Sequence, residues 1–185
     1  MPLTKQLLRD RLLTERQAIP AAERTLRSQA IVERVCATDF FQKAGHIAAY
    51  LPILGEVDVM PILAVAAQAH KRVYLPRLRD DGRLDFAVYD PAMLVRGPRG
   101  VMQPAPELPS VEHAVLELVV VPGLGFDKRR HRLGLGAGFY DKTFGGESRR
   151  PTLLGVAYDI QIVDEVPVDP WDVPLDGVVS ESAIL

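Results

Sequence analysis

Residues 119–141 read V-V-V-P-G-L-G-F-D-K-R-R-H-R-L-G-L-G-A-G-F-Y-D and concentrate the chemistry this chain offers. A basic stretch, Lys128, Arg129, Arg130, His131 and Arg132, leads into glycines at alternate positions, Gly134, Gly136 and Gly138. Glycine lets a backbone approach a ligand closely and turn successive N–H groups into one concavity. Arginine adds full charge and a bidentate fork. A short helix is predicted to start at Phe139-Tyr140-Asp141, and a helix N-terminus adds partial positive charge. The ligand suited to such a site is a phosphate. Asp141 beside it suits Mg²⁺, which is commonly held by one or two carboxylates together with substrate phosphates. The spacing is G-x-G-x-G, which is neither the dinucleotide fingerprint nor a P-loop. On chemistry alone the segment is an anion or Mg-nucleotide site, and its reaction stays open.

The elements around it must position these groups. Leu118 to Val121 is an apolar run stopped by Pro122-Gly123 and reads as a buried central strand. Helical spacing runs from Leu3 to Ala18, with Leu8, Leu12 and Leu13 on one face, and Pro20 ends it. Lys5 and Arg9 are four apart, so they share a face of this helix. A second helix is predicted over 22–37 with Leu26, Ala30, Ile31 and Val35 inward, and a third over 60–69. Strands are predicted at 46–51, 72–75, 152–157 and 178–179. Asp81-Gly82 marks a hairpin between 74–78 and 84–89. Residues 91–109 carry five prolines and read as an extended surface loop. Alternating strands and helices imply an α/β fold: a three-layer α/β/α domain with a largely parallel, mixed sheet and an antiparallel edge hairpin. Ligands in such folds collect beyond the carboxyl ends of the strands. The glycine-rich loop lies there, and so does the loop after Tyr50-Leu51 if its strand is parallel.

At 185 residues the chain fits a single domain, 1–185, with a substantial core. A net charge of −2 excludes the extended basic field of a general nucleic-acid binder. No apolar run approaches the ~20 residues that span a bilayer. The N-terminal segment, interrupted by Arg9, Asp10 and Arg11, lacks the apolar core of a signal peptide. The lone Cys36 allows no internal disulfide. A cytoplasmic protein is expected. His46, His70 and His113 have no partners at metal-ligand spacing, and no G-x-S-x-G or Cys–His pattern supports covalent catalysis.

The string P-G-L-G-F-D-K-x-x-x-R-L-G-x-G-x-G-x-Y-D resembles the signature of the 5-formyltetrahydrofolate cyclo-ligase (5,10-methenyltetrahydrofolate synthetase) family. The likeness extends to K-x-x-L-R at Lys5 to Arg9, to Tyr50-Leu51-Pro52 with Glu56-Val57-Asp58, to Val73-Tyr74-Leu75-Pro76-Arg77, to Gly155-Val156-Ala157 and to Val173-Pro174-Leu175-Asp176. It thus covers nearly the full chain. Leu135 stands where many relatives carry Arg or Tyr, Ala137 where Lys or Gly is frequent, and Phe139 where Tyr is usual.

The resemblance implies ATP as co-substrate and Mg²⁺ as the metal. It assigns Lys5, Arg9, Arg132, Leu133, Gly134, Leu135, Gly136, Ala137, Gly138, Phe139 and Tyr140 to ATP. It assigns Tyr50, Leu51, Glu56 and the segment Leu135, Gly136, Ala137, Gly138 and Phe139 to the reduced folate. Arg132 and Tyr140 are the expected catalytic residues. Asp141 and Asp176 are the expected metal carboxylates, although Asp176-Gly177 is a turn pair in its own right. The implied reaction is the ATP-dependent closure of 5-formyltetrahydrofolate to 5,10-methenyltetrahydrofolate. A monomer acting on small molecules, without nucleic acid or membrane, is expected. Two alternatives stay open at this point: another α/β enzyme on the same scaffold, and a non-catalytic nucleotide- or folate-binding regulator.

Overall fold

A computed structural model describes residues 4–147 and 149–185. In chain order it contains α1 (Lys5–Ala18), α2 (Ala21–Ala37), α3 (Asp39–Lys43), β1 (His46–Ala48), α4 (Met60–Gln68), β2 (Arg72–Leu78) and β3 (Leu84–Val88). Then come β4 (Leu94–Arg96), β5 (Met102–Pro104), β6 (Ser110–Val111), β7 (Leu118–Val121), β8 (Gly125–Asp127) and β9 (Arg132–Leu133). The chain closes with α5 (Phe139–Phe144), β10 (Thr152–Val156), β11 (Ile162–Val163) and β12 (Gly177–Val179).

A seven-stranded sheet in the order β12-β10-β7-β1-β2-β3-β6 is the centre of the fold. Pairings from β12 through β2 are parallel, and β3 and β6 add antiparallel strands at one edge. All four residues of β7 are buried, as a strand covered on both faces requires. Alternate residues divide between two cores. Ile47, Val120, Leu154 and Val156 face Ile31, Val35, Ile62 and Leu63 of α2 and α4. Ala48, Val119, Val121 and Leu153 face Tyr140 and Phe144 of α5, together with Phe126 of β8. The α/β architecture with a mostly parallel sheet is the expected one, although α5 is short and a small β11-β8-β9 sheet shares its side of the molecule.

α1 covers that small sheet. Thr4 caps it, its hydroxyl accepting from Leu7 N at 3.3 Å. Leu8, Leu12 and Arg16, spaced four apart, are the residues it buries. Leu8 and Leu12 pack with Leu124, Leu133 and Val166 in a third cluster, which sets α1 against the glycine-rich segment.

Several expectations need correction. The first helix was expected from Leu3, which lies outside the described residues. Leu26 is 67% exposed, and Val32 is buried in its place on α2. Two arginines on this helix reach the C-terminal segment, Arg27 to Glu181 Oε1 and Arg34 to Glu181 O, so the side of α2 flanking its apolar stripe is partly polar. β1 ends at Ala48 and β2 continues to Leu78, where its antiparallel pairing with β3 extends it. Residues 91–109 are not a featureless loop. β4 and β5 pair within them, with Val95 opposite Gln103. The strands β8, β9 and β11 were not expected, because runs of two or three residues carry no periodicity to read. No helix among the described residues is long and apolar enough to cross a membrane.

Candidate active site

A cavity of about 810 Å³ opens at the carboxyl edge of the parallel strands. Tyr50 and Leu51 follow β1, Pro76 and Leu78 end β2, and Pro122-Gly123 follow β7; all six line it. The 91–109 arm adds Arg99, Val101, Met102 and Gln103, and α1 adds Lys5 and Arg9. The expected groups on α1, the 50–56 loop and the 132–141 segment therefore meet at one place.

The glycine-rich segment is shaped by its residue types. Gly136 has φ +104° and Gly138 has φ +66°, backbone conformations that side-chain-bearing residues rarely adopt. A Cβ on Gly134 would lie 2.8 Å from Arg132 Nη1, so a side chain here would push that guanidinium aside. Gly138 precedes the first turn of α5, whose N–H groups receive no side-chain cap. Arg9 Nε donates to Gly134 O at 3.0 Å and ties α1 to this segment.

Charge is arranged in pairs. Arg132 Nη2 donates to Asp141 Oδ2 at 2.8 Å, and its guanidinium lies 5.3 Å from the centre of the Tyr140 ring. Asp141 Oδ1 accepts from Val173 N at 3.1 Å. Lys5 Nζ donates to Asp169 and Asp172, each at 2.6 Å. Burial opposes the Lys5 ammonium, but the bonds to these two aspartates hold its pKa above the ordinary lysine value. Burial raises the Tyr140 phenol far above its usual range, so it stays a hydrogen-bond donor through neutral pH. Burial also raises the Glu56 carboxyl; the Ile53 N–H and the nearby Arg16 charge offset part of that rise. Glu56 Oε2 accepts from Ile53 N at 3.0 Å. Tyr50 donates its hydroxyl to Val57 O at 3.0 Å, which fixes its ring against the same loop.

Lys5, Arg9, Tyr50, Leu51, Glu56, Arg132 and every residue from Leu133 to Asp141 line the cavity. Asp176 does not. Its carboxylate accepts from Leu153 N at 2.8 Å and from Arg150 Nη1 at 2.5 Å, which ties the start of β10 to the turn before β12. The structure thus places Asp176 apart from Asp141: the aspartates that share the cavity with Asp141 are Asp169 and Asp172, and Glu56 is the further carboxylate there. Asp172 is joined to Asp141 through the adjacent Val173 amide. The repeated V-P-V-D-P-W-D-V-P run, with two acids three apart, was the signal for this turn. Trp171, 69% exposed, and the arm from Pro98 to Gln103 are further lining residues that the sequence reading did not include.

No group of three or more His, Cys, Asp or Glu side chains among the described residues could hold a metal ion by itself. One or two carboxylates completed by phosphate oxygens is the usual protein contribution to a Mg²⁺ site, and Asp141 and Asp172, which both line the cavity, are carboxylates that could contribute to one. Hard oxygen donors beside backbone amides and cations would suit Mg²⁺ with a nucleotide.

Comparison with known proteins agrees with this geometry. The profile of the 5-formyltetrahydrofolate cyclo-ligase family matches residues 3–181. The 5-formyltetrahydrofolate cyclo-ligase of Mycolicibacterium smegmatis is 30% identical, over 97% of this chain and 94% of that protein. The Escherichia coli enzyme of the same name is 36% identical, over 76% of this chain and 80% of its own length. The solution structure of Aquifex aeolicus 5,10-methenyltetrahydrofolate synthetase superposes with a TM-score of 0.85 at 32% identity, covering 97% of this chain and 91% of that one. Signature, site and fold lead to one conclusion: the chain belongs to the 5-formyltetrahydrofolate cyclo-ligase family of enzymes.

Proposed function

We propose that the protein closes 5-formyltetrahydrofolate to 5,10-methenyltetrahydrofolate at the expense of ATP, releasing ADP and phosphate, through phosphorylation of the formyl oxygen. The observation that carries this reading is the meeting of a glycine-rich, arginine-flanked turn with the Tyr50–Glu56 loop in one cavity. A formamide carbonyl is a weak electrophile. Its oxygen attacks the γ-phosphorus of ATP; the new O–P bond forms as the bond to ADP breaks. The carbon on N5 is then activated, N10 attacks it and loses its proton, and phosphate leaves with the former formyl oxygen. No enzyme nucleophile is needed.

The protein's part is to place two substrates and to stabilise charge on the transferring group. Lys5, Arg9 and Arg132 supply cations, and the amides of 134–138 supply N–H donors. Tyr140 donates a hydrogen bond from a phenol that burial keeps protonated. Glu56 accepts hydrogen bonds from pterin N–H groups, and Tyr50 and Leu51 form an apolar wall. Leu135 and Phe139, which both line the cavity, are assigned contacts with both ligands. Asp141 and Asp172 would hold Mg²⁺, which when bound neutralises phosphate charge. The carboxylates that now pair with Arg132 and Lys5 leave those cations close to the phosphates' path.

In this reading residues 1–185 act as one domain, as a monomer in the cytoplasm, on small molecules. The test is steady-state formation of 5,10-methenyltetrahydrofolate, followed by absorbance. Product that requires both ATP and Mg²⁺ and appears with equimolar ADP supports it. Product formation independent of ATP would overturn it.

A further inference from the structure

Among the described residues Arg16 is the largest fully buried side chain, 1% exposed, and it does not line the cavity. Its Nε donates to Leu54 O at 3.2 Å and its Nη1 to Gly123 O at 3.0 Å. Leu54 and Gly55 both have positive φ and form the turn that presents Glu56. Glu56 is fastened to that same turn, its amide donating to Ile53 O at 2.9 Å. Gly123 follows the end of β7 and opens the run toward the glycine-rich segment. It packs tightly, since a Cβ there would lie 2.5 Å from the Phe126 ring. Gln161 Nε2 donates to Gly123 O and to Leu124 O, both at 2.9 Å, so the same carbonyl is held twice.

Arg16 is an expensive way to hold two carbonyls. A buried guanidinium is costly unless it is well paired, and replacing buried charges by apolar groups is often neutral or stabilising. No carboxylate lies within ion-pair distance of Arg16 among the described residues. Its Nη2 is buried and finds no hydrogen-bond partner among them. Packing alone would be served by leucine or methionine, as at Leu8 and Leu12 on the same stripe. The fork spans two loops that are far apart in sequence and that both deliver residues to the cavity.

We propose that Arg16 is a positioning residue for the ligase reaction: it fastens the turn carrying Glu56 to the loop after β7, whose Leu124 amide donates to Leu133 O at 2.7 Å beside the glycine-rich segment, and so fixes the distance between the folate-orienting carboxylate and the phosphate cradle. The inference rests on the cavity being the folate and ATP site. Arg16 touches neither substrate. A two-substrate reaction that proceeds by placement is sensitive to such a distance, since a misplacement of about 1 Å can cost about 10²-fold in rate. Loss of the strap therefore lowers kcat with both substrates saturating, more than it raises either KM.

The test uses the full chain with Arg16→Lys, which keeps the charge and loses the fork, and Arg16→Met, which keeps the volume and loses the charge. Thermal melts, kcat, both KM values and amide hydrogen exchange are measured. The expected result is a folded Lys variant whose kcat falls about tenfold or more. Exchange should rise together at residues 53–56 and 123–125. Unchanged kcat in either folded variant overturns the proposal, as does exchange that rises in only one loop. Two unfolded variants also overturn it, since Arg16 would then be needed for the fold itself. A parent protein that makes no methenyltetrahydrofolate defeats the functional reading instead, and the exchange experiment still decides whether Arg16 joins the two loops.

Discussion

Arg132 and Asp141 stand nine residues apart, one on either side of the glycine-rich turn, and meet across it with Nη2 2.8 Å from Oδ2. The contact closes the turn on itself and puts a cation, a carboxylate and the Tyr140 ring within one small space. Arginine is 7% and aspartate 16% exposed in this pair, so their charges act in a partly desolvated setting. In the proposed reaction these two groups would engage the transferring phosphoryl group and its metal.

Asp141→Asn keeps the shape and one acceptor oxygen, enough to serve Val173 N, but removes the charge and the second acceptor that Arg132 uses. Turnover should fall roughly 10²-fold, the scale of losing one electrostatic contact to a transition state. The melting temperature should change by only about 2–4 °C, corresponding to about 1 kcal/mol. Steady-state assays across a Mg²⁺ titration, with a parallel melt, check this. Full activity at limiting Mg²⁺ would remove Asp141 from the metal role.

Gly136→Val should abolish nucleotide binding in a protein that still folds. The nearest atoms to a Cβ at this position are 3.7 Å away on Arg9, so space is not the obstacle. The obstacle is φ +104°, which a β-branched residue avoids at a cost of about 1–3 kcal/mol. The turn is expected to change course and turn its amides away from the ligand. Calorimetric titration with ATP reads the effect, and an unchanged affinity would show that the phosphates lie elsewhere.

Glu56 carries a pH prediction. Burial raises its carboxyl, so folate binding that needs the carboxylate should improve as pH rises through a value above the ordinary glutamate range. Glu56→Gln should remove that limb from the pH dependence of folate affinity and weaken binding about ten- to a hundredfold, since hydrogen bonds to charged groups contribute about 1.5–3 kcal/mol. ATP affinity should barely move. Folate and ATP titrations of the parent and variant from pH 4 to pH 8 would decide. Equal losses for the two ligands would count against a folate-specific role.

Asp127 is a matter of stability. It is fully buried, and its carboxylate accepts from the amides of Arg129, His131 and Val166 and pairs with the His131 ring at 3.1 Å. Burial pushes its pKa up, but the Val166 and His131 bonds prevail and hold it below the ordinary value. A depressed carboxylate contributes stability above its unfolded pKa and loses it as pH falls through the folded one. Asp127→Asn should therefore cost about 3 kcal/mol at neutral pH, because an amide nitrogen would face a buried N–H. The penalty should shrink in acid. Urea unfolding at pH 7 and pH 3 would measure both.

Much of the site could be read from the sequence because its chemistry is local. Gly134, Gly136 and Gly138 with Arg132 and Asp141 form one continuous string, and the apolar run 118–121 placed that string at a strand end. Lys5 and Arg9 could be paired through helical spacing. Groups that depend on tertiary approach were less legible. Asp172 reaches the cavity only because the chain after β11 folds back over α5. Asp176, in the same run, turns instead to Arg150. Leu26 looked apolar and inward, yet α2 presents it to solvent. Arg16 sits in the buried stripe of α1, where a charge pattern reads as surface, and only the carbonyls of Leu54 and Gly123 explain it.

Phosphorylation of the formyl oxygen before the ring closes can be followed with an oxygen label. 5-Formyltetrahydrofolate labelled with oxygen-18 in the formyl group would be turned over with unlabelled Mg-ATP in ordinary water, and the released phosphate analysed by mass spectrometry. One labelled oxygen is expected in each phosphate formed with product. Unlabelled phosphate beside stoichiometric methenyltetrahydrofolate would mean that water had attacked ATP and that the oxygen had left by another route, which would contradict phosphorylation of the formyl oxygen.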